Sequence, residues 1–85
     1  MLDRNLIEMA YSFFHQKLRV YEFSTSEVQR DDIEYAINEY VTMMSPELLD
    51  YISDGRPAFL REHSTFEEDM REAVRKMGEQ LGERF

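Results

Sequence analysis

Two histidines and eighteen carboxylates are the side chains of this 85-residue chain best suited to acid–base or metal chemistry. Imidazole titrates near neutral pH and is a common metal ligand. His15 falls among Glu8, Ser12 and Arg19 on the polar side of a helical repeat. It has no second histidine one turn away, so a solvated surface residue is expected there. His63 is different. It stands in phase with Phe59, Phe66 and Met70, beside Glu62 and four residues before Glu67. That spacing offers a His/Glu metal or acid–base pair. One imidazole and one carboxylate do not complete a metal site, so the competing expectation is a boundary histidine bonded to a backbone carbonyl at a helix junction.

Other reactive patterns are missing from the sequence. There is no glycine-rich phosphate loop, no HExxH, no EF-hand loop and no ExxH pair of the di-iron kind. With no cysteine, thiolate zinc sites and disulfides are excluded. The run Glu67-Glu68-Asp69 resembles a cation site, but acids are also favoured in a first helical turn, near the positive end of the helix dipole. Glu67 with Arg71 and Glu72 with Lys76 are i,i+4 pairs in the favourable orientation, so a solvated, self-paired face accounts for the cluster. Gly78 and Gly82 have small-xxx-small spacing, which reads here as a helix end. The expectation is a protein that is not an enzyme and holds no cofactor.

Recognition chemistry is better represented. Val28, Asp31, Asp32, Tyr35, Glu39 and Thr42 share one face of a helical repeat, opposite its apolar stripe. Acids around an exposed tyrosine suit a basic protein partner, since tyrosine supplies a rigid contact with a polar tip. Of six methionines, Met44, Met70 and Met77 fit apolar stripes, while Met9 and Met43 sit at stripe edges. Core packing is the expectation for these rather than an adaptable binding groove.

The elements that must position these residues are helices. Strand-like alternation is absent, and only three glycines and two prolines interrupt the chain. The periodicity predicts an all-α fold, a small bundle of three main helices over about 3–21, 25–44 and 65–82. One or two short helices are expected over about 46–53 and 57–63. Ser24 with Glu27 and Ser64 with Glu67 match the capping box. Ser45-Pro46 matches a helix start and Asp54-Gly55 a helix stop. In the first helix the apolar residues form two seams: Leu6, Ala10, Phe13 and Val20, and Ile7, Tyr11, Phe14 and Leu18. Together they exceed the stripe of an ordinary surface helix. The helix must therefore be central or half of a subunit interface, which makes Ile7, Tyr11, Phe14 and Leu18 candidates for self-association as a homodimer.

Charge and size narrow the function. The net charge is −8, from eighteen acids and ten bases, and both halves of the chain carry −4. An acidic surface repels phosphates, so direct binding to nucleic acid and to anionic membranes is not expected. No apolar run exceeds three residues, so no membrane span is expected. The start has no apolar core of a signal peptide, and with cysteine absent the cytoplasm is the default location. Residues 1–85 read as a single helical domain, small enough that a partner would be a natural source of extra burial. A non-enzymatic protein–protein interaction module, possible as a homodimer, is the leading expectation. An acidic inhibitor that mimics nucleic-acid charge against a basic DNA-binding protein is the alternative, and a metal or acid–base site around His63 is the third.

Overall fold

Asp3 starts the first helix by accepting hydrogen bonds from the amides of Asn5 and Leu6 at 2.8 and 3.4 Å. The computed structural model describes residues 2–82. Within them, α1 spans Arg4–Phe23, α2 Glu27–Met43, α3 Pro46–Ser53 and α4 Phe66–Leu81, with one 3₁₀ turn over His63–Thr65. The described residues contain no strand. The fold is an all-α bundle of three long helices and one short one. No helix among the described residues is long and apolar enough to cross a membrane.

The helix starts depart from the expected capping boxes in detail. α2 is capped by Ser26, whose hydroxyl accepts from the Gln29 amide at 3.2 Å. Ser24 instead donates to the Gln29 side chain at 2.6 Å and accepts from the Ser26 amide, so it braces the connection rather than the helix. Ser45 caps α3 ahead of Pro46, as the sequence suggests, by accepting from Leu48. The Ser64–Glu67 box does not form. Thr65 occupies the cap position of α4, and its hydroxyl points to Asp69 rather than to a backbone amide.

The short helix expected over 57–63 is replaced by consecutive turns. These close through Arg56 N–H to Ser53, Phe59 N–H to Arg56 and Arg61 N–H to Ala58. Pro57 disfavours helical geometry at Arg56 and has no amide to donate. Leu60 then adopts φ 65°, which no right-handed helix accommodates. Residues 57–82 are consequently not one continuous helix.

α1 packs against both α2 and α4, and α3 packs against α4. Phe14, Phe66, Ile37, Ile52, Leu60, Met70 and Met77 are the largest fully buried side chains. The radius of gyration is 12.2 Å, close to the ~12 Å of a compact domain this long. This arrangement buries most of the seam from which self-association is expected. Ile7, Phe14 and Leu18 are buried inside one chain, and Tyr11 is half-buried against the same core. α2 and α4 cover this seam, while Leu6 and Val20 of the second seam each stay 44% exposed.

Candidate functional site

Leu60 links the connection to the two helices that carry the candidate residues. Its amide donates to the Asp69 carboxylate on α4 at 2.9 Å, and its carbonyl accepts from Asn38 Nδ2 on α2 at 3.1 Å. Asp69 is only 4% exposed. It also accepts from Arg56 at 3.3 Å and from Thr65 at 3.4 Å. The sequence places Asp69 on a solvated acidic face; the structure makes it a buried acceptor that fixes the connection. Its neighbours do follow the expected pairing: Glu67 is bonded to Arg71, which also reaches Glu22 on α1 at 2.8 Å, and Glu72 pairs with Arg56 and Lys76. Asp69 and Asn38 gave no warning because a lone polar residue in a helix looks the same whether its partner is water or a distant loop.

Anchoring Leu60 delivers His63 to α2. The ring Nδ1 lies 2.7 Å from Glu34 Oε2. The same oxygen accepts from the Tyr21 hydroxyl on α1 at 2.9 Å. Tyr21 is buried, and that burial, with the bond to Glu34, pushes its hydroxyl up to about 12. Asp31 joins from one turn before Glu34, so that one ligand atom each from Asp31, Glu34 and His63 lies within 4.8 Å of the others. Arg30 lines the adjoining cavity but is committed elsewhere, donating to the Ser24 carbonyl at 3.2 Å with its guanidinium 4.7 Å from the Tyr21 ring centroid. The carboxylates expected beside His63 were Glu62 and Glu67. The structure joins it instead to Glu34 and Asp31, because the turns before it aim the ring at α2. His15 stacks on Tyr11 at 5.6 Å, with no carboxylate in that contact.

The face of α2 singled out in the sequence is solvent-exposed throughout: Val28, Asp31, Asp32, Tyr35 and Glu39 all lie outside the core. Among the described residues, none of Asp31, Asp32 and Glu39 is held in an ion pair with Lys or Arg. The structure extends this face. Met43 is 78% and Met9 64% exposed, so both stripe-edge methionines lie outside the core where sequence periodicity had put them. With Leu6, Tyr40 and Met44 they line a shallow apolar groove between α1 and α2, of about 420 Å³. Its floor is held by aromatic packing. Tyr40 stacks on Phe13 at 4.7 Å and meets Phe14 edge-on at 5.8 Å. Met9, Phe13 and Tyr40 continue the apolar surface toward Gln16.

These features define an acidic, all-helical bundle with an apolar groove at one place and a histidine–carboxylate cluster at another. Comparison with known protein families, with curated proteins and with solved structures finds no match to this chain.

Proposed function

We propose that the protein is a non-enzymatic docking module that receives a basic amphipathic helix on the α1–α2 groove. One observation carries the reading: the groove leaves Leu6, Met9 and Met43 uncovered beside an α2 face whose acids have no cationic partner. Contiguous apolar surface on a small domain marks contact sites. Methionines fit such a surface because their unbranched side chains repack around different partners at little cost. Glu39 lies one turn from Met43, and Asp32 and Glu39 flank Tyr35, so the apolar strip has an acidic border. A helix with an apolar stripe and lysines beside it would complement both parts. A second copy of this chain carries the same −8 charge and would be repelled.

The test uses two fluorescent synthetic helices of the same length, one of leucine and lysine and one of leucine and glutamate. The leucine–lysine peptide should bind the full chain by anisotropy. The double variant Met9→Ser with Met43→Ser should weaken it by about tenfold or more, since two buried methionine contacts are worth roughly 1.5 kcal/mol or more. Both residues are exposed, so the variant keeps its fold, which circular dichroism checks. Equal binding of the two peptides, no binding, or a groove occupied by a second copy in sedimentation would overturn the reading.

A further inference from the structure

The histidine–carboxylate cluster lies apart from the groove and has a chemistry of its own. We propose that Asp31, Glu34 and His63 form a binding site for a divalent transition-metal ion, zinc above all, which ties the connection between α3 and α4 to α2. Three observations meet at this point. First, the donor set is mixed: one imidazole nitrogen and two carboxylates, with atoms from all three within 4.8 Å. Carboxylates alone would suit calcium or magnesium, whereas an imidazole selects zinc and its neighbours in the transition series. Zinc bonds of about 2.0–2.2 Å place tetrahedral ligand atoms roughly 3.3 Å apart. The His63–Glu34 contact of 2.7 Å therefore needs to open by only about half an ångström to admit the ion.

Second, the central ligand is already oriented. Glu34 is 17% exposed in its side chain and takes the Tyr21 hydroxyl at 2.9 Å. A buried donor that holds a ligating carboxylate in place is the usual outer support of a metal site. Asn38, one turn further along α2, bonds the Glu34 carbonyl at 2.8 Å and the Leu60 carbonyl at 3.1 Å. It thereby holds α2 and the segment leading into His63 in register.

Third, the ligands come from distant parts of the chain, with Glu34 and His63 29 positions apart in the sequence. An ion shared by the two would close a loop that no covalent bond closes, and its binding energy would appear as stability of the folded state. A cavity of about 300 Å³, lined by Ser24, Thr25, Glu27, Arg30, Asp31 and His63, opens beside the cluster. Three protein ligands leave at least one position for water, and this cavity is where that water would sit.

The experiment is calorimetric titration of the untagged full chain with zinc chloride, in a buffer that does not chelate, paired with thermal unfolding and the His63 ring proton signals. A single saturable zinc should bind, raise the unfolding temperature and shift the His63 ring signals while leaving those of His15 in place. His63→Ala, at an exposed side chain, should lower zinc affinity at least about tenfold with the apo fold unchanged, and Asp31→Asn should do the same. Tyr21→Phe keeps the ring in the core but frees Glu34, and should lower affinity by about tenfold, a loss that a purely structural tyrosine would not produce. Magnesium at millimolar excess should not displace the zinc. Absence of saturable binding, binding unaltered by His63→Ala, or a shift of His15 instead of His63 would each overturn the proposal. The groove reading stands or falls separately, since peptide binding is measured without metal.

Discussion

Asp69 and Tyr21 are polar groups placed in the interior, and each has found partners that compensate for leaving water. The Asp69 carboxylate accepts from the buried Leu60 amide as well as from Arg56 and Thr65. Replacing it with alanine strands that amide, a loss of about 1–3 kcal/mol by itself, and removes the charge-assisted bond to Arg56. Asp69→Ala should therefore destabilise the chain by about 3 kcal/mol in urea unfolding, and Asp69→Asn, which keeps an acceptor, by clearly less. Tyr21 gives a pH signature. Its hydroxyl titrates near 12 when folded against an ordinary 10.0, so the neutral form is favoured by the fold. The stability this contributes is fully present below pH 10 and lost as the pH rises through about 12. Ultraviolet titration should find a tyrosine ionising near pH 12, beside Tyr40, whose hydroxyl is also raised by burial, and Tyr21→Phe should remove the former and flatten the alkaline limb of the stability curve. Asp54 works in the opposite direction. The hydrogen bond from Lys76 at 2.7 Å holds its carboxyl below the ordinary 3.8. That contribution is present above the unfolded value and lost as the pH falls through the lower folded one, so Asp54→Asn should remove part of the acid limb.

Between α3 and α4 the chain reverses through positive-φ residues, and this segment decides where His63 arrives. Asp54 and Gly55 are both left-handed, at φ 53° and 74°. No atom lies within 4 Å of where a Cβ would stand on Gly55. A Gly55→Ala substitution thus meets no clash and isolates the backbone cost, about 1–2 kcal/mol, measurable as a lower urea midpoint at unchanged slope. Leu60 is left-handed too, yet almost fully buried. Burial of its side chain, worth roughly 1.5–3 kcal/mol, offsets the conformational cost of the same order as that at Gly55. Lys76 locks the far side of the segment, since its ammonium reaches both Asp54 and the Tyr51 carbonyl. The element is thus held by α2, α3 and α4 together, which is why it presents His63 to Glu34 without being a helix.

At the scale of the whole molecule, one acidic bundle keeps its core and its exposed apolar strip on different sides of α1 and α2. Substituting the core side should unfold the chain: Phe14→Asp places a charge where no water reaches, and loss of the helical signal rather than dissociation of a dimer is the expected result. Substituting the strip should leave the fold intact and alter association only. Binding of a basic helix to this surface should also weaken with salt, because part of its attraction comes from exposed carboxylates that ions screen over about 10 Å. A tenfold rise in salt that left affinity unchanged would point to apolar contact alone.

The three long helices, the short helix over Pro46–Ser53 and most of the core were determined by the sequence alone, because apolar side chains repeat at the helical pitch and the Ser45-Pro46 and Asp54-Gly55 signals act within a few residues of themselves. The exposed face of α2 was legible for the same reason: Val28, Tyr35 and Glu39 fall opposite the stripe of Ile33, Ile37 and Val41 whatever the helix packs on. Tertiary structure alone decided which neighbours cover α1, that Met9 and Met43 stay outside, that Asp69 turns inward, and that His63 meets Glu34 rather than Glu67. Periodicity reports the direction in which a side chain leaves its own helix. It carries no information on what another segment brings to that side, and the turns that carry His63 to α2 are fixed by bonds to residues far away in the chain.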